Sequence, residues 1–236
     1  MSQDHDQKTI TVSVRVWRQA QGEKGGRFVE YEVADTPLEA SFLEMLDILN
    51  ESLVEKGEDP IAFESDCREG ICGTCCLVVD GLPHGPSQCT TCQLQMRNFE
   101  PEAKITIEPF STGAFPVIKD LIVDRSSLDR VIQAGGYITV HSGPKPEPNS
   151  VPIEHEIMED ALDASACIGC GACVAACPNG SASLFTSAKI HHLALLPQGQ
   201  PERNTRVKKM VEAMDDEGFG SCRNYAECQA SCPKGI

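Results

Sequence analysis

Residues 167–178 read CIGCGACVAACP, and few stretches restrict a chain as tightly as this one does. Cysteines at 167, 170, 173 and 177, followed by Pro178, reproduce the spacing C-x2-C-x2-C-x3-C-P that folds backbone around an iron–sulfur cluster. In two-cluster proteins of this kind three cysteines of the run hold one cluster and the fourth reaches the other, so a second run is required. The stretch SCRNYAECQASCPKGI supplies it, with Cys222, Cys228 and Cys232 before Pro233. Tyr225 stands where the three-residue step calls for another cysteine.

Applied here, the rule makes Cys167, Cys170, Cys173 and Cys232 the ligands of a [4Fe-4S] cluster and sends Cys177 to join Cys222 and Cys228. The second cluster then has three thiolates. A cubane lacking one corner iron, [3Fe-4S], needs three, so the tyrosine itself predicts the cluster type. The competing explanation of Tyr225 is a [4Fe-4S] cluster with water or hydroxide at an open corner.

A third constellation lies upstream. CREGICGTC, residues 67–75, has the C-x4-C-x2-C spacing of a plant-type [2Fe-2S] loop, and thiolates suit iron because they are soft anionic donors. Gly70 and Gly73 let backbone amides approach the sulfurs. The loop gives Cys67, Cys72 and Cys75, and the fourth ligand must come from CTTC, as Cys89 or Cys92; spacing alone does not choose. Cys72, Cys75, Cys89 and Cys92 also read as C-x2-C-x13-C-x2-C, close to a zinc ribbon.

Around these runs the pattern changes once. TITVSVRVW alternates strictly, with Ile10, Val12, Val14 and Val16 on one face, and FVEYEVA follows a Gly-rich loop, which predicts a hairpin. Thr36-Pro37-Leu38-Glu39 offers an N-cap with a capping-box glutamate for a helix that buries Leu38, Phe42, Met45, Leu46, Leu49 and Leu53 and stops near Gly57. CLVVDGLP turns at Asp80-Gly81, and KITIEPF is a last strand. From Phe115 the pattern becomes helical through IKDLIVDRSSLDRVIQ, HEIMEDALDA and PERNTRVKKMVEAMDDEG, the last with Val207, Met210, Val211 and Met214 as its stripe. SGPKPEPNSVP, with four prolines in eleven residues, must be extended. The expected fold class is α+β, with a strand-rich [2Fe-2S] domain over residues 1–115 and a helical domain over 116–236 holding the other two clusters.

A formal net charge of -15 works against binding nucleic-acid backbones, so no nucleic acid is expected as a partner. No run of about 18 apolar residues is present to span a membrane. The polar N-terminus MSQDHDQK carries no apolar signal stretch, so the thirteen cysteines are expected in a reducing compartment, where they bind metal.

In order along the chain, CREGICG, HGPSQCTTCQLQMRNF, CIGCGACVAACPNGSASLF, LLPQGQPERN and the terminal CPKGI resemble the iron–sulfur subunit of the succinate dehydrogenase and fumarate reductase family. The resemblance implies an N-terminal β-grasp plant-type ferredoxin domain, an all-α bacterial ferredoxin-like domain, and a wire of three clusters. That wire connects FAD in a flavoprotein subunit to a quinone at a membrane anchor. It aligns the single cysteine of the family's HGP...TTCQL segment with Cys92, which completes the [2Fe-2S] set of Cys67, Cys72, Cys75 and Cys92 and leaves Cys76 and Cys89 as bystanders.

Further expectations follow from the resemblance. The subunit is an electron carrier without a dicarboxylate site of its own. Its partners are the flavoprotein and anchor subunits, the latter with or without haem. Its place is the cytoplasmic face of the cell membrane, held peripherally by the anchor. Pro178, Asn179 and Arg223 fall in the vicinity of the quinone. The best-described members carry two aromatic residues after the cysteine-proline step and a histidine after the next cluster cysteine. Here those positions hold Ser181, Ala182 and Arg223, a departure that resembles the menaquinone-linked branch. Pro178 and Asn179 also read simply as a helix stop and cap. His84, in PHGP, is read as turn chemistry, and His191 and His192 as packing or surface residues. Rival readings are a glycolate oxidase or heterodisulfide reductase subunit, a soluble multi-cluster ferredoxin and a zinc-stabilised interaction protein.

Overall fold

Alternation of apolar and polar residues gives a strand one dry face, and β1 (Thr9–Arg18) buries Ile10, Val12, Val14 and Val16. Its neighbour β2 (Arg27–Pro37) runs antiparallel, with Val14 opposite Tyr31 and Val16 opposite Val29. The structure is a computed structural model that describes residues 8–236, so the stretch MSQDHDQ lies outside the described residues.

Helix α1 (Phe42–Glu55) starts later than its sequence suggests. Thr36 and Pro37 still pair with β1, opposite Ile10 and Thr9, so they end a strand and do not cap a helix. The cap is Ser41, whose hydroxyl accepts from the Glu44 amide at 3.2 Å while the Glu44 carboxylate accepts from the Ser41 amide at 2.6 Å. Leu38 therefore precedes the helix, although it packs against the same core. Phe42, Met45, Leu46, Leu49 and Leu53 are buried as expected, each stabilising the unit by about 1.5–3 kcal/mol relative to an exposed side chain.

Two short strands, β3 (Leu77–Val79) and β4 (Leu82–Pro83), join through Asp80 and Gly81, both at positive φ, as a two-residue hairpin turn demands. Strand β5 (Lys104–Pro109) lies parallel to β1 and antiparallel to β3, so the described residues form a five-stranded sheet in the order β2-β1-β5-β3-β4.

Residues 118–125 correct a second expectation. In place of helix, the chain makes a hairpin of β6 (Val117–Lys119) and β7 (Ile122–Val123). The reason is Asp120, 2% exposed at the turn. One of its carboxylate oxygens accepts from Arg18 Nε at 3.1 Å and from the Gln19 amide at 2.9 Å, and the other from the Ala62 amide at 2.9 Å. A buried carboxylate is held only where its acceptors are filled, and a helix would remove it from these donors.

The chain divides into two compact units: one runs to Ser111 and takes in Val117–Val123, and the other takes in Thr112–Pro116 and Asp124–Ile236. The second is helical: α2 (Ser126–Gly135), α3 (His155–Ser165), α4 (Ala172–Ala176), α5 (Ser183–Leu195), α6 (Arg203–Asp216) and α7 (Glu227–Ala230). Helix α2 packs on α6, and α3 on α5. The stripe expected on α6 is only partly buried. Met210 is enclosed, but Val207 and Val211 are 39% and 38% exposed. Arg206 takes the buried place beside Met210, donating to the carbonyls of Gly135, Tyr137 and Gly199 and to Glu202. Residues 142–152 are exposed throughout. Among the described residues no helix is long and apolar enough to cross a membrane. The architecture is mixed α+β, strand-rich at its N-terminal end and helical at its C-terminal end.

Candidate metal centres

None of the thirteen cysteines is in a disulfide, and they gather at three places. The first is the loop that carries Cys67, Cys72 and Cys75. Arg68, Gly70 and Gly73 sit at positive φ, which curls the loop. The amides of Glu69 and Cys72 donate to Cys67 Sγ, each at 3.3 Å. Amide donors of this kind pull the Cys67 thiol down to about 7, because they stabilise its anion. A Cβ on Gly70 would stand 2.8 Å from Gln93 Oε1 and 3.1 Å from Thr90 Oγ1, so the loop touches the segment around a 3-10 turn, Thr91–Gln93.

That approach brings in the fourth thiol. Cys92 is buried beside Cys75, its amide and sulfur both in hydrogen-bonding reach of the Cys75 sulfur, and burial pushes Cys75 up to about 12. Thr90 Oγ1 lies 3.2 Å from Cys92 Sγ. Cys89 is half-buried and packs against the apolar core, and the Cys76 thiol donates to the Gly73 carbonyl at 3.0 Å. His84 is buried in its turn with Nδ1 3.0 Å from Thr91 Oγ1, and so orients the turn that presents Cys92.

The second place is a cavity lined by Cys167, Cys170, Cys173 and Cys232, closed by Phe185 and Ala188. Gly169 and Gly171 at positive φ make the bend between these cysteines, and a Cβ on Gly171 would meet the Phe115 ring at 3.0 Å. Arg125 Nη1 donates to the carbonyls of Gly169 at 3.3 Å and Cys170 at 3.1 Å. Burial pushes the Cys170 thiol up to about 11 and raises Cys167 and Cys173 as well, while Lys189 works the other way on Cys167. Thiols this costly to ionise alone lose their protons when a metal coordinates them.

The third place is a cavity of about 290 Å³ lined by Cys177, Cys222 and Cys228, with Ser181, Arg223 and Tyr225 also on its wall. Asn224 and Ala226, both at positive φ, flank Tyr225, which is 50% exposed. Leu184 and Ile236 line this cavity and the preceding one alike. Asn179 stands beside them, its side-chain amide donating to the Ser221 carbonyl at 3.0 Å.

A zinc ion holds its sulfurs at about 2.3 Å from one point. Among the described residues no group of three or more His, Cys, Asp or Glu is placed to hold a single metal ion. The cysteines of the second and third places stand around cavities, an arrangement that fits a cluster held from both runs. Arg125 carries no signal in the sequence pattern, and for His84 the pattern gives the turn but not its partner Thr91; each is a single polar residue whose partner is set by folding.

The comparisons agree with this chemistry. A family model described as "2Fe-2S iron-sulfur cluster binding domain" matches residues 13–130, and one described as "4Fe-4S dicluster domain" matches residues 166–236. The chain is 30% identical to the succinate dehydrogenase iron-sulfur subunit of Bacillus subtilis, over 98% of this chain and 88% of that one. It is 26% identical to the fumarate reductase iron-sulfur subunit of Wolinella succinogenes, over 89% and 84% of the two chains. A chain of the Mycobacterium smegmatis Sdh1 complex in the apo form shares the fold, with a TM-score of 0.65 at 18% identity, covering 97% of this chain and 90% of that one.

Proposed function

Because the chain belongs to the family of succinate dehydrogenase and fumarate reductase iron–sulfur subunits, and so serves electron transfer, we propose that it carries three clusters in series. In this reading Cys67, Cys72, Cys75 and Cys92 hold [2Fe-2S] in a β-grasp ferredoxin domain. Cys167, Cys170, Cys173 and Cys232 hold [4Fe-4S], and Cys177, Cys222 and Cys228 hold [3Fe-4S], both in a bacterial ferredoxin-like helical domain. The observation that supports it most is that the two cysteine-lined cavities of the helical unit each take cysteines from both runs, as cross-ligation requires.

When bound, the clusters supply one-electron chemistry that side chains lack. The chain's own part is to bind, tune and insulate. Amides of Glu69 and Cys72 donate toward the Cys67 sulfur and withdraw negative charge from it. Phe185, Ala188 and Leu184 keep water from the [4Fe-4S] ligands, and Leu184 with Ile236 gives the two sites one shared wall. Tyr225 occupies the place of the ligand that a fourth iron would need.

The same reading gives the chain a flavoprotein partner on the [2Fe-2S] side and a membrane anchor with a quinone, menaquinone, at the [3Fe-4S] end. It is then a peripheral subunit at the cytoplasmic face of the membrane. Ser181 and Arg223 on the wall of the third site support polar rather than aromatic contacts near that quinone. Electron paramagnetic resonance on the purified complex tests the assignment. The oxidised protein is expected to show a [3Fe-4S] resonance and the reduced protein a [2Fe-2S] resonance; absence of the former removes the three-thiolate site.

A further inference from the structure

Arg125 lies half-buried immediately before α2, and its Nη1 reaches two successive carbonyls of the ligand loop, Gly169 at 3.3 Å and Cys170 at 3.1 Å. Cys170 is itself buried, at 7% exposure, and lines the cavity. The guanidinium is thus bonded to the same residue that supplies a cluster ligand. Unlike lysine, arginine keeps its charge under all conditions and can span two acceptors with one planar group.

We propose that Arg125 is a positioning residue that raises the reduction potential of the [4Fe-4S] cluster, by fixing a permanent positive charge against the Gly169–Cys170 backbone. The inference rests on the assignment of Cys167, Cys170, Cys173 and Cys232 to that cluster. Reduction adds one electron, with no bond made or broken and no proton taken up, so the site becomes more negative by one charge. A fixed cation stabilises the reduced form more than the oxidised form, and it does so more strongly where water is excluded. The two hydrogen bonds keep the charge in one place through both states, so its effect is not dissipated by side-chain motion.

The test is a mediated dithionite titration of the cluster-loaded complex, followed by electron paramagnetic resonance, with iron and sulfide content measured alongside. Arg125→Gln is expected to lower the ratio of reduced to oxidised [4Fe-4S] about tenfold at a fixed ambient potential, equivalent to a 59 mV fall for a one-electron couple. Arg125→Lys, which keeps the charge, is expected to stay near the wild-type midpoint, and the [2Fe-2S] midpoint to stay unchanged in both. A wild-type midpoint in Arg125→Gln, or equal displacement in the Gln and Lys variants, overturns the proposal while leaving the cluster assignment standing. Arg125→Met serves as a second uncharged variant, and loss of iron from both uncharged variants overturns the tuning role in favour of a purely structural one. Wild-type protein with no [4Fe-4S] signal overturns the assignment beneath it.

Discussion

The side-chain amide of Asn179 donates to the carbonyl of Ser221 at 3.0 Å, tying the residue two past Cys177 to the residue just before Cys222. The Gly220 amide bonds the Gly180 carbonyl beside it at 3.2 Å, so the two cysteine runs are stitched together by backbone as well as by a side chain. A Cβ on Gly220 would fall 1.8 Å from the Asn179 carbonyl oxygen. Gly220→Ala is expected to cost about 3 kcal/mol, and Asn179→Ala about 1 kcal/mol. Thermal denaturation of the cluster-loaded protein gives both values, and a Gly220→Ala variant as stable as wild type would show that this stitch does not hold the runs.

The [2Fe-2S] ligand set is open to a direct comparison. Cys92 sits beside Cys75, whereas Cys89 packs against the apolar core. Cys92→Ser is expected to disturb the reduced [2Fe-2S] resonance and Cys89→Ser to leave it nearly intact. The reverse pattern moves the ligand to Cys89.

Tyr225 lines the cavity of the third place and, in the sequence, stands where the three-residue step calls for a cysteine. Tyr225→Cys restores C-x2-C-x2-C-x3-C-P and is expected to admit a fourth iron, removing the [3Fe-4S] resonance of the oxidised state and lowering the midpoint of that site. Quinone-linked turnover should fall more than turnover with an artificial acceptor. An unchanged three-iron signal in this variant would mean that the tyrosine does not define the cluster.

Removal of iron discriminates between the two units. The first has a sheet and a helix packed on an apolar core that runs from Ile10 to Leu121. The second builds two cysteine-lined cavities from two distant runs, so clusters bound as proposed would couple metal binding to folding there. Chelation is expected to abolish most helical circular dichroism while strand signal partly persists; full helicity in the iron-free chain contradicts this.

Ser41→Ala removes the hydroxyl that receives the Glu44 amide and is expected to destabilise the first unit by about 1 kcal/mol in denaturant titration. Thr36→Ala serves as the control at the competing cap position and should leave the helix start where it is.

That competition shows where a sequence can be read and where it cannot. Thr36-Pro37-Leu38-Glu39 and Ser41-Phe42-Leu43-Glu44 both carry the capping signature, and what separates them is strand pairing, since Thr36 is held opposite Ile10. The alternation of β1 and the buried face of α1 are legible because their periods are those of the elements themselves. IKDLIV is apolar at both helical and strand spacing, and its hairpin is decided by donors on Arg18, Gln19 and Ala62 that are distant in sequence. The cysteine runs are legible because their spacing is local, but the choice between Cys89 and Cys92 is not, since spacing leaves both open. The turn at His84 is legible from PHGP, whereas its hydroxyl partner and the carbonyls that Arg125 meets are not, because nothing in a local pattern says what a lone polar side chain will meet.

The interleaving of the two runs also sets a timetable for biogenesis. The first cavity takes Cys167, Cys170 and Cys173 from one run and Cys232 from the other, and the second takes Cys177 from the earlier run with Cys222 and Cys228 from the later. At roughly 5–20 residues per second on the ribosome, the earlier thiols emerge seconds before their partners. Neither set of thiols is therefore complete until the later run has been made, and a chain whose translation halts within α6 carries two half-built sets that stand open to oxidants.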